Sequence, residues 1–311
     1  MRLKILHKLE PMEREISVAL GLFDGVHQGH RSVIAQAVEG AGEELLPVVL
    51  SFRTQHAIPA SKKGYSTIIT DTVKQSILTG LGVRLLIEPD FLDIKDYTAE
   101  VFVREILINR LRAKQIVCGY DYRFGKGAAG SVELLQALGA QYGAEVTVMP
   151  PLLDGGEPVS STRIRRCIEQ GEIEQANRLL GYDYCFDFPV IDGAKLGRTI
   201  GVPTINQMFK PEFLIPKFGV YASYMTIGHR KYWGVTNVGI KPTVHNTSFP
   251  LAETHIIGFS GDLYKKRIKV HLVEYLRSEQ RFSGIPELKK AIQENIRCVT
   301  QRYCKESLDS L

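Results

Sequence analysis

The sequence predicts a two-domain α/β protein: a parallel sheet flanked by helices over about residues 1–150, then an antiparallel sheet or barrel closed by a terminal helix. Three observations carry this. Continuous apolar runs alternate with helical patterns in the first half, which is the mark of strands buried on both faces. The pattern changes near residue 150 to short strands separated by Gly, Pro and Asn. The chain of 311 residues is long enough for two cores.

In order, "EISVALG" (15–21) reads as a buried strand, followed by a helix from about His30 to Ala41. "LLPVVLSF" (45–52) is a second strand, and "DTVKQSILTGLG" (71–82) a helix with Asp71 as its N-cap. "VRLLIEP" (83–89) precedes a helix over 98–113 that starts near Thr98. "KQIVCGY" (114–120), "SVELLQALGAQYG" (131–143) and "AEVTVMP" (144–150) complete the alternation. Residues 161–181 read as one or two short helices. The strands "YCFDFPVID", "GVYASYMTIG", "KYWGVTNVG", "ETHIIGF" and "KRIKVHLVEYL" follow, with a last helix over roughly 285–303. The domains are expected to meet near residues 181–186, giving 1–182 and 183–311.

Composition excludes several classes. The 44% hydrophobic and 23% charged content is that of a globular chain. No apolar run reaches the ~20 residues of a membrane helix, and the N-terminus lacks a signal-peptide core, so no membrane contact and a cytoplasmic location are expected. The five cysteines are odd in number and contain no CxxC pair, against both a disulfide framework and a zinc site; Cys118 reads as a core thiol. The net charge of +5 comes without an arginine-rich tract or an aromatic RNA-binding signature, so no nucleic-acid partner is expected. Small polyphosphate ligands fit it equally well.

"GLFDGVHQGH" (21–30) is the first strand-to-helix connection, so it lies at the carboxyl edge of the parallel sheet, where such folds bind ligands. Gly21, Gly25 and Gly29 allow close approach of a ligand, and the following helix N-terminus suits phosphate. His27 and His30 stand near that terminus. Taken alone, two histidines three apart are also satisfied surface or core residues, or a weak metal pair. The turn is neither a dinucleotide fingerprint nor a Walker loop.

These residues resemble the G-x-F-D-G-x-H-x-G-H signature of bacterial bifunctional riboflavin kinase/FMN adenylyltransferases, the FAD synthases. "GYDYRFGKGAAG" (119–130) and "VSSTRIR" (159–165) resemble further segments of that family in order. The resemblance implies a Rossmann-like nucleotidyltransferase domain in which His27 and His30 serve the α-phosphate of ATP, with Gly21, Phe23, Asp24 and Gly25 in the same turn. It implies that Ser160, Ser161, Thr162, Arg163 and Arg165 hold the triphosphate, and that Asp121 lies near nucleotide or metal. Without that context, "SSTRIR" is a capped helix start and Asp121 a turn aspartate. One departure is clear: the family's T-F-x-P-H-P after the second strand is "SFRTQHAIP" (51–59) here, with Phe52 kept and His56 in a shifted position.

In the second half, "GAKLGRTIGVPTIN" (193–206) alone is a loop running into a strand. It resembles the G-x-G-R-x-L-G-x-P-T-A-N of riboflavin kinases, with Ile205 for alanine. That likeness implies that Thr204 and Asn206 serve a Mg²⁺-nucleotide, and that Gly193, Gly197, Arg198, Gly201 and Pro203 wrap ATP. "VGIKPTV" (238–244) and "ETHIIGFSGDLYKKRIKV" (253–270) extend the match, with Gly258 for aspartate and Lys265 for glycine. Glu253 falls on the glutamate regarded as base for the flavin 5′-hydroxyl; by itself it is a solvated glutamate at a strand start. "RSEQRF" (277–282) keeps the family's R-x-E-x-x-F and places Arg277 at flavin or nucleotide. The expected activity is riboflavin to FMN in the C-terminal domain and FMN to FAD, releasing pyrophosphate, in the N-terminal one. Its alternatives are a kinase whose adenylyltransferase is weakened or lost through the altered loop, and a non-catalytic flavin-binding regulatory protein.

Overall fold

The computed structural model describes residues 3–53, 66–193, 197, 200–242 and 248–304. Its contacts divide it into two compact units, Met1–Tyr65 with Lys74–Ser160, and Ser66–Val73 with Ser161–Leu311.

The first unit is built on a six-stranded parallel sheet of order β1-β4-β3-β2-β5-β6. The strands are β1 Lys4–Leu6, β2 Ile16–Leu20, β3 Leu46–Leu50, β4 Leu85–Ile87, β5 Ala113–Gly119 and β6 Glu145–Met149. Every residue of β2 and β4 is buried, because helices cover both faces. Val18, Leu20, Val48, Leu50, Leu85, Ile87, Ile116 and Cys118 lie in one core with Phe102, Ile106, Leu107, Leu135 and Leu138. The opposite face meets α1 (Gln28–Ala41), where a Cβ on Gly40 would lie 2.0 Å from Gln115 Oε1. This is the doubly covered parallel sheet that the apolar runs predict.

Two local expectations are corrected. Helix α2 (Asp71–Gly80) is capped by Thr70, whose hydroxyl accepts Val73 N–H at 3.3 Å, so Asp71 is its first helical residue rather than its N-cap. A hydroxyl one residue earlier reaches the third amide, the geometry a cap requires. The expected 98–113 helix opens as one α-turn, α4 (Ala99–Val101), after a Thr98 cap, following the short α3 (Phe91–Ile94). It then widens to a π-helix over Phe102–Arg110, ending with Leu111 N–H on Ile106 C=O at 2.9 Å. Helix α5 (Val132–Tyr142) carries a Ser131 cap. The short strands β7 (Leu153–Asp154) and β8 (Glu157–Pro158) pair as an antiparallel hairpin.

The second unit carries a seven-stranded sheet of order β10-β11-β14-β13-β12-β15-β9, antiparallel at every pairing. Its strands are β9 Cys185–Phe186, β10 Val190–Ile191, β11 Thr204–Met208, β12 Gly219–Ile227, β13 Arg230–Pro242, β14 Ser248–Ile256 and β15 Val270–Arg277. The two edge strands, β9 and β10, are separated only by Asp187, Phe188 and Pro189. Such a link spans about 10–14 Å, whereas a flat sheet of this size would separate its edges by about 29 Å, so the sheet must curl on itself. Gln207 stitches the seam: its buried Nε2 donates to Phe188 O at 2.5 Å and Ile268 O at 2.8 Å. Phe186, Phe188, Phe209 and Phe213 pack edge and face inside, with centroids 5.0–6.1 Å apart. Helix α8 (Ile285–Tyr303) lies on the outside of β13, where Tyr303 stacks on Trp233 at 4.5 Å.

Helices α6 (Ser161–Gln170) and α7 (Ile173–Leu180) pack with this second unit; Asn177 donates to Leu272 O at 3.0 Å and accepts Tyr184 N–H at 2.7 Å. Residues 66–73 join it too, through Thr67 N–H to Glu212 O at 2.8 Å and Thr70 Oγ1 to Asp187 Oδ1 at 2.5 Å.

Candidate functional site

In the first unit the signature turn leaves β2 at the carboxyl edge of the sheet. Gly21 N–H donates to Leu50 O at 3.3 Å, and a Cβ there would stand 3.0 Å from the Phe23 ring. Phe23 itself has φ 52, Gly25 φ 77 and Val26 φ 35. Left-handed backbone costs a non-glycine residue about 1–2 kcal/mol, so this turn is strained at two positions and held by burial: Phe23 is 1% exposed. Asp24 is also buried in the tight Asp24–Val26 turn.

The turn ends with His27 as the N-cap of α1. His27 Nδ1 accepts the His30 backbone N–H at 3.2 Å. A ring nitrogen that accepts an amide carries no proton, so Nε2 is the protonated, donating nitrogen of His27. The rings of His27 and His30 stack at 3.6 Å, and Phe23 meets His30 edge-on at 5.4 Å. Gly29 makes room for this: a Cβ would lie 3.3 Å from the His27 ring. Both histidines thus stand at a helix N-terminus whose field favours anions.

Asp121 follows β5, which lies beside β2 in the sheet, so its turn opens on the same carboxyl edge. Its side chain is exposed, with Oδ1 in the concave turn over Gly119. Cys118 just before it is fully buried, and burial first, then the Asp121 charge, pushes its thiol up to about 12. Ser160 ends the first unit and immediately precedes α6. Ser161, Thr162, Arg163 and Arg165 form the first turn and a half of α6 in the second unit, where Arg165 Nε donates to Ser66 O at 3.1 Å. His56 and the rest of the altered 51–59 loop beyond Arg53 lie outside the described residues.

In the second unit a cleft of about 380 Å³ collects most of the predicted kinase residues: Gly193, Gly197, Thr204, Asn206, Glu253 and Arg277. Strand register explains the grouping. Glu253 is directly opposite Asn206 of β11 on one side and Asn237 of β13 on the other. It therefore sits mid-strand, not at the strand start the sequence pointed to. Thr204 shares the cleft-facing side of β11 with Asn206 by the two-residue period. Gly193 packs against the amide of Asn206, where a Cβ would lie 2.4 Å from Nδ2, and a Cβ on Gly197 would lie 2.3 Å from Val202 O. Gly201 turns the chain with φ 78. Pro203 is outside the cleft lining, and its carbonyl meets His255 Nδ1 at 2.8 Å. Arg198 lies outside the described residues.

Arg277 is held from α8, its Nε donating to Asn295 Oδ1 at 3.3 Å, and burial draws its pKa below the ordinary guanidinium value. Asn237 and Asn295 line the cleft without having been picked out in the sequence, and Glu279, the glutamate of the R-x-E-x-x-F match, lines it without having been given a role. Asn237 could have been found from the alternation of β13 and Glu279 from the R-x-E-x-x-F match; Asn295 carries no local signal. Val220, Val235, Phe282, Leu288 and Ile292 give the cleft an apolar side. Lys265, which replaces a glycine of the resembled motif, holds φ 62, the conformation that glycine adopts without strain.

The donor set suits a hard divalent cation. Asn206 Oδ1 is buried and has no hydrogen-bond partner among the described residues, with the Thr204 hydroxyl two positions away and a carboxylate opposite. Among the described residues no cluster of three His, Cys, Asp or Glu could hold a metal ion.

Comparison with known proteins agrees with this division. A family model described as FAD synthetase matches residues 9–163, and one described as riboflavin kinase matches residues 180–303. The bifunctional riboflavin kinase/FMN adenylyltransferase of Escherichia coli K12 is 34% identical over 292 residues, covering 92% of this chain and 93% of that protein. The protein of the same description from Listeria monocytogenes is 34% identical over 277 residues, covering 87% of each. A crystal structure described as a macrolide-efflux protein from Streptococcus pneumoniae superposes with a TM-score of 0.85 at 27% identity, covering 97% of this chain and all of that one. Among the described residues here, no helix is long and apolar enough to cross a membrane. With two motif-bearing units and relatives matched along nearly its whole length, the chain belongs to the family of bifunctional riboflavin kinase/FMN adenylyltransferases.

Proposed function

We propose that residues 183–311 carry the riboflavin kinase and residues 1–182 the FMN adenylyltransferase, with Mg²⁺ as the cofactor and a cytoplasmic site of action. The chain phosphorylates riboflavin to FMN with ATP and adenylylates FMN to FAD. The observation that carries the kinase assignment is Glu253 in register between Asn206 and Asn237 in a cleft with one polar and one apolar side.

In the kinase step the riboflavin 5′-hydroxyl oxygen attacks the γ-phosphorus of ATP. Its proton passes to the Glu253 carboxylate and ADP leaves. Thr204 and Asn206 would present oxygens to a magnesium ion, which when bound would supply positive charge to offset that of the phosphates. Gly193, Gly197 and Gly201, with Arg198 and Pro203, form the segment that lies along ATP, and Arg277 contributes positive charge. The apolar side accepts the flavin ring.

In the second step a phosphate oxygen of FMN attacks the α-phosphorus of ATP, and the bond to the β-phosphate breaks to release pyrophosphate. No proton transfer is required, so the task is charge stabilisation. His27 donates from Nε2, and His30 stands stacked against it at the same helix terminus. Gly21, Phe23, Asp24 and Gly25 shape the turn, Asp121 faces the nucleotide, and Ser160, Ser161, Thr162, Arg163 and Arg165 hold the triphosphate. Retention of both histidines and of "SSTRIR" weighs against a kinase with a lost second activity. A non-catalytic binding protein would have no need of Glu253, Thr204 and Asn206 together.

The test is product analysis by chromatography with ATP and Mg²⁺, once from riboflavin and once from FMN. FAD from both substrates is expected. FMN without FAD would remove the adenylyltransferase, and no turnover of either substrate would remove both.

A further inference from the structure

The strained signature turn has a support that no motif of the sequence marks. A turn with two non-glycine residues in left-handed backbone persists only where its surroundings over-determine it. Burial of the Phe23 ring supplies one constraint. The second is polar. The carbonyl of Leu22, the residue before Phe23, accepts from Ser51 Oγ at 3.0 Å and from Lys74 Nζ at 3.1 Å. Lys74 Nζ also donates to Ser51 Oγ at 3.1 Å and to Glu88 Oε1 at 2.7 Å.

This network is closed and buried. The Lys74 and Glu88 side chains are 11% and 9% exposed, and the three ammonium protons match three acceptors. Leu22 follows β2, Ser51 follows β3 and Glu88 follows β4, so one ammonium from α2 ties the carboxyl ends of three adjacent strands. These are the ends at which a parallel sheet binds its ligands. Burying an ion pair gains little stability, since apolar side chains of similar volume commonly do as well. Only a donor, however, can fix the direction of the Leu22 carbonyl.

We propose that Lys74 is a positioning residue for adenylyl transfer. Through the Leu22 carbonyl it sets the peptide that enters the left-handed Phe23. Phe23 in turn meets His30 edge-on, and His30 stacks on His27, so the placement of both imidazoles depends on this peptide. The proposal rests on the reading of Gly21–His30 as the adenylyl-transfer turn.

Three variants test it in the full chain, with riboflavin kinase turnover as an internal control of folding. K74M/E88L removes both charges. Its melting temperature and kinase constants are expected to match the wild type, while kcat for FAD formation from supplied FMN falls about 100-fold, the order expected of a misplacement near 1 Å. KM for ATP and FMN should change by less than about threefold, since positioning is lost more than binding. E88Q keeps an acceptor for the ammonium, so it is expected to lose melting temperature yet stay within about threefold of the wild-type kcat. K74M alone should lose both. The proposal is overturned if K74M/E88L makes FAD at the wild-type rate, or if the losses follow melting temperature regardless of Lys74. A wild-type protein that makes FMN but no FAD would overturn the turn's assignment and this proposal with it.

Discussion

Gly193→Ala tests the kinase cleft by a single added methyl group. An alanine Cβ would lie 2.4 Å from Asn206 Nδ2, 2.8 Å from its Cγ and 3.1 Å from its Oδ1. Ordinary contact needs about 3.4 Å or more, so the amide must retreat by about 1 Å. It has little room to do so: Asn206 is 6% exposed and its backbone is paired with Ile191 on one side and Glu253 on the other. Displacing Asn206 moves the orphaned Oδ1 that would meet the magnesium-nucleotide. A 1 Å misplacement at a reacting centre costs on the order of 100-fold, or about 2.7 kcal/mol of transition-state stabilisation. The assay is initial-rate formation of FMN from riboflavin, with FAD formation from supplied FMN measured on the same preparation. The first is expected to fall about 100-fold and the second to stay unchanged. Gly80→Ala is the control, since a Cβ there meets nothing within 4 Å. A Gly193→Ala protein that phosphorylates riboflavin within about threefold of the wild type would refute the placement of Asn206 at the nucleotide.

Other expectations follow from the same geometry. Glu253→Gln should lower FMN formation by about 10²–10⁴-fold, the usual contribution of a general base, and spare FAD formation from supplied FMN; His30→Ala should do the reverse, both read by chromatography. Gln207→Leu strips the seam of two buried hydrogen bonds and should destabilise the barrel by about 2–4 kcal/mol in denaturant unfolding. Cys118 and Cys185 are both held by burial near a pKa of about 12 against an ordinary 9.0. The unfolded chain therefore releases these protons first, and thermal stability should decline as pH rises above 9 toward 12. Flat stability across that window would contradict their burial as thiols.

Much of the fold was legible because its signals are local. Buried parallel strands such as "ISVAL" announce themselves as uninterrupted apolar runs, and the cap at Ser131 and the amphipathic α8 can be read from a few adjacent residues. The misreadings share a cause. Asp71 and Thr70 are both good caps by type, and which one serves depends on where the backbone turns. The wide winding of Phe102–Arg110 has no signature distinct from an α-helix in spacing alone. Glu253 read as a strand start because β14 begins in "SFPLA", whose proline interrupts the apolar alternation.

The sequence by itself determined the order and type of most of the elements, the motifs of both halves and the family that joins them, since each depends on residues close together along the chain. The tertiary structure alone decided which distant residues face one another. Asn237 and Glu253 meet because β13 and β14 pair in one register out of several that their composition allows. Glu279 packs over Gly239, where a Cβ would sit 2.0 Å from its carboxylate, only once the barrel has curled. Residues 66–73 join the second unit through Thr67 and Thr70, although they lie within the first half of the chain. Lys74, Ser51, Glu88 and Leu22 come from four separate elements and converge because a parallel sheet lines up its carboxyl ends. Strand register, sheet closure and buried ion pairs are long-range contacts, and no local periodicity encodes them.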